Sequence, residues 1–322
     1  MPSHHAQMPI AAVFMVEPGA YEWPAVLLAA SLRAFAGDDI RLYGYCRAAL
    51  IDQLHPATLA FFKANGVTLD EIDPGFEVIY PQGNKLYACA APRAEPATIL
   101  FDTDMFMLQP ALLSETLVPG AVSGRPTGNW MWGNTPQDWV PAYESVGLSL
   151  PRGRMSRPDQ SFTMPSISAG YVTYMGSHFG ELWRDTALAI ERRRLARGIY
   201  PTLDQISLPV AVERAGLRLN MIDVKWNKAG KISDQAIRQV VCYHYQKADT
   251  LLKLPVKWLA DRLLHEYSQW HTVEALLAFY DKEAARPDTV INNAGWRDAV
   301  QAGQREVDIS HAQATGLTRT KP

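Results

Sequence analysis

Ala97 to Leu108 reads ATILFDTDMFML, an apolar run that ends in two carboxylates, Asp102 and Asp104, and then turns apolar again. Taking an ionised carboxylate out of water costs several kcal/mol unless a cation or strong donors compensate. Two of them separated by a single residue therefore point to a site that holds a cation. In an extended chain, residues i and i+2 project to the same side, so both carboxylates can face one point in space. Oxygen donors suit a hard divalent ion, Mn²⁺ or Mg²⁺. An Asp-X-Asp recurs by chance, so its setting has to give it weight.

That setting is a buried strand. Thr98, Ile99, Leu100 and Phe101 form a continuous apolar run with β-branched and aromatic members, the pattern of a strand covered on both faces. Upstream, strands expected at 10–16, 40–45 and 67–72 alternate with helices. The first helix has Val26, Leu27, Ala30 and Ala34 at helical spacing and is closed by Gly37; the second covers 56–64. Such alternation implies an α/β domain with a parallel sheet between helices. In these sheets ligands sit beyond the carboxyl ends of the strands, where the two aspartates lie. A short helical piece over 84–88 places Lys85 where it can reach an anion held by the metal.

Downstream, residues 126–165 are rich in Pro, Gly, Asn and Trp and lack a period, which predicts an irregular lobe. Its Trp130, Trp132 and Trp139 suit either sugar stacking or packing of the loop onto the core. A turn and strand follow over 167–174, then a helix from 183 to 196 and another over 203–215 that opens on Asp204-Gln205. A strand over 217–224 leads to Trp226-Asn227, and one over 240–245 carries His244. Two amphipathic helices are expected over 255–285, with Trp258, Leu259, Leu263 and Leu264 and then Val273, Leu276, Leu277 and Tyr280 on their apolar faces. The chain beyond 286 is a polar tail.

With 322 residues, 48% of them hydrophobic, the chain can bury a large core, and its net charge of −2 gives no electrostatic case for a nucleic-acid partner or an anionic membrane surface. Cys46, Cys89 and Cys242 are widely spaced and odd in number, which argues against a disulfide framework and for a reducing, cytoplasmic setting. The N-terminal apolar run lacks a basic flank and is too short to span a bilayer, so no transmembrane segment is expected.

Asn84-Lys85, FDTD, SAGYVTY, LDQ, KWN and a strand ending in His244, in that order, resemble the metal-dependent GT-A glycosyltransferases, especially the glycogenin and lipopolysaccharide galactosyltransferase type of family 8, over roughly residues 10 to 250. The resemblance implies a Rossmann-like GT-A fold with a mainly parallel central sheet and C-terminal helices. It implies a hexosyltransferase, retaining, that takes a nucleotide-diphosphate sugar, a UDP-sugar being favoured, and an acceptor that is a glycan, lipid or protein. Asp102, Asp104 and His244 would ligate Mn²⁺ or Mg²⁺, and Lys85 would stabilise the departing diphosphate. Asp204 would be a polar contact near the anomeric centre or acceptor hydroxyl, and Gln205 a donor to that centre. Asn84, Tyr21, Ser168, Gly170 and Lys247 would bind substrate.

There are departures from the family pattern. Ser168 stands where the family's Asn-Ser-Gly turn has Asn. HYQKADTLLKLP lacks the family's Gly and Lys-Pro after the histidine, so Lys247, or failing that Lys253, is the expected phosphate ligand. The implied organisation is a catalytic domain over 8–250, with 126–165 as acceptor-side lobe, a helical extension over 251–285 and a tail over 286–322.

Other classes compete. Haloacid-dehalogenase-type phosphatases also end a strand in Asp-X-Asp, but the pair opens their domain and is followed by Thr or Val, whereas here Met105-Phe106 follows. Nucleotidyltransferases need a Gly-rich basic loop after the first strand, which VEPGAYEWP does not supply. A non-catalytic glycan- or protein-binding descendant would keep the fold without the chemistry. By itself His244 would read as a core histidine and Asp204 as a helix-end charge, with Thr202 or Asp204 capping. Asp159-Gln160 is a second Asp-Gln pair, in the wrong order for the family.

Overall fold

β1 (Ile10–Met15) is almost wholly buried, and its alternate residues feed two apolar layers: Ile10, Ala12 and Phe14 on one face of the sheet, Ala11 and Val13 on the other. In this computed structural model the described residues are 8–37, 39–127, 132–153, 155–156, 162–176 and 178–284. After β1 come α1 (Glu22–Phe35), β2 (Ile40–Arg47), α2 (Pro56–Ala64), β3 (Val67–Ile72), α3 (Asn84–Ala90) and β4 (Ala97–Phe101). The expected strand–helix alternation is present, and β4 is buried at every position.

β5 (Met105–Met107) follows β4 after only three residues, and β6 (Ala121–Pro126) lies beyond a 3₁₀ turn at Leu113–Thr116. The lobe contains α4 (Val140–Glu144) and a short antiparallel pair, β7 (Met155–Ser156) and β8 (Phe162–Thr163). Then come β9 (Ile167–Met175), α5 (His178–Arg193), α6 (Leu203–Arg214), β10 (Arg218–Met221), β11 (Lys228–Ala229), α7 (Asp234–Ile237), β12 (Cys242–His244) and α8 (Ala248–Lys253). α9 (Lys257–Tyr267) and α10 (Val273–Ala284) complete the described chain.

The main sheet has the order β10-β6-β9-β4-β1-β2-β3; β9 runs antiparallel to both β4 and β6, and every other pairing is parallel. A second sheet has the order β11-β12-β5. β4 therefore belongs to one sheet and β5 to the other, with Asp102 and Asp104 at the corner between them. α3, α5 and α6 cover one face of the main sheet; α1, α2, α9 and α10 cover the other. Tyr280 on α10 hydrogen-bonds Thr58 on α2 at 2.6 Å, so the C-terminal helices share the core of the strands that precede them.

Candidate active site

Residues 102–104 form a turn, not the extended segment that would project two aspartates to one side. The turn is pinned at both ends. The Asp102 amide donates to the Gly170 carbonyl at 2.7 Å, and the Thr103 hydroxyl donates to the Met15 carbonyl at the end of β1, also at 2.7 Å. Beyond it β5 pairs antiparallel with β12, which sets His244 opposite Met105. His244 Nε2 lies 2.9 Å from Asp104 Oδ1 and 3.9 Å from Asp102 Oδ2. One ligand atom from each of the three residues falls within 4.8 Å of the others. That is a donor set of two oxygens and one nitrogen with room for a small divalent ion.

Gly170 contributes by what it lacks. A Cβ there would meet Asp102 Oδ2 and His244 Cε1 at 3.0 Å and His244 Nδ1 at 3.2 Å. Ser168-Ala169-Gly170, expected as a turn, is instead the start of β9, and its bare backbone at Gly170 lies against two of the three candidate ligands.

Charge is dense around this corner. Burial pushes the His244 imidazole down, but the charge of Asp104 and the hydrogen bond to it outweigh burial and raise it above the ordinary histidine value. For Asp104, burial is likewise outweighed, by His244 and then Lys85, and its carboxyl is held below the usual carboxylate range. For Asp102, burial prevails over the pull of Lys85 and His244 and its carboxyl is raised, so an added cation would relieve an unfavourable charge.

Lys85 is buried, and its three protons find three acceptors: Asp102 Oδ1 at 2.5 Å, Asp204 Oδ2 at 3.3 Å and the Ala169 carbonyl at 3.4 Å. Burial opposes its charge, but the two aspartates hold its ammonium well above the usual lysine value. Asp204, 2% exposed, is no helix cap: the Tyr80 hydroxyl donates to its Oδ1 at 2.7 Å and accepts from its backbone N–H at 2.9 Å. Thr202, the residue before α6, makes no side-chain capping bond. The structure therefore brings Asp102, Asp104, His244, Lys85, Gly170 and Asp204 into one cluster. Gln205 follows Asp204 on α6, and its Oε1 is buried with no hydrogen-bond partner among the described residues.

The other expected substrate contacts surround this cluster in sequence, and each has its own setting. Asn84 is buried and donates to Glu17 Oε1 at 2.7 Å, and Arg47 holds the same glutamate through two bonds of 2.8 and 2.9 Å, so the Asn84 amide braces the loop after β1. Tyr21 immediately precedes α1 in that loop. Lys247 is exposed three residues beyond His244, after Gln246, whose φ of +64° is left-handed. Lys253 is exposed at the end of α8. Ser168 accepts weakly from the Gly170 amide at 3.4 Å and from Asn227 Nδ2 at 3.5 Å. Trp139 is fully buried and meets Trp132 edge-on at 5.2 Å, so it packs the lobe. Trp130 and the Asp159-Gln160 pair lie outside the described residues.

Tyr80 and Asn227 complete the cluster and were not singled out by residue type. Tyr80 is announced by nothing local. Asn227 stood inside the KWN motif, and only the fold shows it beside His244.

Residues 12–216 match the sequence profile of the Rhodobacterales glycosyltransferase domain. No curated protein matches the chain in sequence. Among solved structures, the galactosyltransferase LgtC in complex with donor and acceptor sugar analogs is similar at a TM-score of 0.51 and 12% identity, covering 80% of this chain and 95% of that one. An active-site mutant of LgtC is similar at 0.50 and 13%, covering 79% and 94%. At such identity the likeness is one of fold, the GT-A arrangement.

Proposed function

The chain belongs to the Rhodobacterales glycosyltransferase domain family, and from that membership we propose a divalent-metal-dependent hexosyltransferase that takes a sugar from a nucleotide-diphosphate donor, a UDP-sugar, and passes it with retention to an acceptor hydroxyl on a glycan, lipid or protein. The observation that carries this is the meeting of Asp102 and Asp104 with His244, drawn from two distant stretches of sequence onto one corner. Mn²⁺ or Mg²⁺ held by these residues would neutralise the diphosphate as its bond to the sugar breaks.

The protein's own groups do the rest. Lys85 holds its ammonium beside the ligands and away from water, where it favours a developing anion. Asp204 holds that ammonium from behind, and with Tyr80 and Lys85 on its two oxygens it acts through Lys85 and not as a nucleophile. Gln205, which follows Asp204 on α6, would be a donor to the anomeric centre through its amide. Lys247, exposed three residues after His244, is a ligand for the donor phosphates. Residues 126–165 and the C-terminal helices form the acceptor side. A haloacid-dehalogenase-type phosphatase loses its ground, because the aspartates follow the fourth strand of a GT-A sheet and have a histidine beside them.

The test is calorimetric titration of UDP with and without Mn²⁺, on the wild type, Asp102→Asn and Asp104→Asn. Binding that needs the metal in the wild type and is lost in both variants is expected. Equal binding in the variants, or binding indifferent to metal, would overturn the assignment. Release of sugar from a panel of nucleotide sugars then identifies the donor.

A further inference from the structure

We propose that Asn227 is a positioning residue that fixes the tautomer and ring angle of His244 and so keeps its Nε2 lone pair open toward the aspartates. The inference rests on the assignment of Asp102, Asp104 and His244 as the metal site, and adds to it a residue that touches neither metal nor substrate.

Asn227 is 1% exposed, at the end of the 3₁₀ turn Val224–Trp226 and immediately before β11. β11 pairs parallel with β12, Ala229 opposite His244, which brings the two side chains side by side. Its backbone is held too: Arg125 Nη1 donates to the Asn227 carbonyl at 2.8 Å. In the side chain, Oδ1 lies 3.2 Å from His244 Nδ1, and Nδ2 faces the Ser168 hydroxyl at 3.5 Å.

A carbonyl oxygen can only accept. Opposite it, His244 Nδ1 must carry the hydrogen, and Nε2 is left with its lone pair. This matters here because Nε2 already has a competitor for the other arrangement. Asp104 Oδ1 is 2.9 Å away and would accept a hydrogen from Nε2. A neutral imidazole with its hydrogen on Nε2 is satisfied by Asp104 and cannot ligate an ion through that nitrogen. Asn227 opposes this by giving the alternative tautomer a hydrogen bond of its own. Through Nδ2 the same amide reaches Ser168, whose hydroxyl meets the Gly170 amide at 3.4 Å. The ring angle is thereby tied to the start of β9, which lies against Asp102.

The test uses the full chain, with Asn227→Leu, which removes the acceptor, and Asn227→Asp, which retains one. Nitrogen NMR of histidine-labelled, metal-free protein, taken where the imidazole is neutral, reads the tautomer directly. Titration with Mn²⁺ alone reads affinity. The wild type and Asn227→Asp should show the hydrogen on Nδ1 and bind Mn²⁺ within a few-fold of each other. Asn227→Leu should show it on Nε2 and bind about 10- to 100-fold more weakly, the usual effect of removing an orienting partner. An Asn227→Leu protein with an unchanged tautomer and Mn²⁺ affinity would overturn the proposal. So would an Asn227→Asp protein that loses as much as the leucine variant, since that would mark a packing role. If Asn227→Leu does not fold, the aspartate variant still decides. Wild-type protein that binds no Mn²⁺ at all would count against the metal site, and the tautomer measurement would then uphold or overturn the role of Asn227 by itself.

Discussion

Lys85 connects the aspartate that faces the metal position with one that is nearly inaccessible. Removing one member of a buried ion pair leaves a charge without compensation, at a cost of about 3–5 kcal/mol, whereas replacing both members with apolar groups can be neutral. Lys85→Met is therefore expected to lower unfolding free energy by about that much, and Lys85→Met/Asp204→Leu by clearly less, both read from denaturant melts. A single variant that costs under about 1 kcal/mol would show an exposed, solvated pair. At Gly170, the 3.0 Å approach of a Cβ to Asp102 Oδ2 and His244 Cε1 acts on the ligands before it acts on the fold. Gly170→Ala should weaken Mn²⁺ binding while costing about 1–3 kcal/mol in stability. Undiminished Mn²⁺ affinity in a calorimetric titration would place the glycine's role elsewhere. The raised imidazole of His244 has its own consequence. A metal must displace its proton, so Mn²⁺ affinity should climb as pH rises through that elevated value and flatten above it, in calorimetry over a pH series. A flat series would remove His244 from the ligand set.

The same forces act between elements. Glu191, on α5 and 3% exposed, accepts from the Glu77 amide at 3.0 Å and from the Tyr200 hydroxyl, and its other oxygen has no partner among the described residues. It ties α5 to the segment that leads into Tyr80 and to Tyr200, whose ring meets that of Tyr80 edge-on at 4.9 Å. Burial raises the Glu191 carboxyl above the ordinary value, with Tyr200 and the Glu77 amide only partly offsetting it. With the folded value above the unfolded one of about 4.3, its contribution to stability is full below the unfolded value and is lost as pH rises through the folded one. Glu191→Gln retains the accepting oxygen and has no charge to bury. It should raise the melting temperature at pH 7 and change it little near pH 4. An equal effect at both pH values would exclude burial of charge as the cause. The Glu17, Arg47 and Asn84 cluster braces the β1 loop in a similar way, so two networks hold the approaches to Lys85 and Tyr80.

At the scale of the molecule, the site lies at a corner between two sheets, and the helices on both faces of the main sheet hold that corner. α9 and α10 pack into the same apolar layer as α1 and α2, through Leu263, Leu276 and Tyr280 among others. Leu263→Ala should therefore cost about 2–5 kcal/mol in a denaturant melt, as for any core leucine. A loss below about 1 kcal/mol would mark the two helices as an appendage to a domain that ends near residue 250. No described helix is long and apolar enough to cross a membrane, and all three cysteines are buried and unpaired.

By itself the sequence determined the strand–helix alternation, the burial of β4, the carboxylates at its end and the strand that bears His244. These are local properties: periodicity, residue type and the cost of a carboxylate after an apolar run are all contained within a few consecutive residues. Tertiary structure alone decided which groups meet. The antiparallel course of β9, the passage of β4 into a second sheet through β5, Asp204 turned toward Lys85, Asn84 turned toward Glu17 and Asn227 set beside His244 all depend on pairings between distant segments. A strand pattern states which residues alternate, not which neighbour they find. A polar side chain in the interior takes its role from the partner that satisfies it, and that partner exists only once the chain has closed on itself.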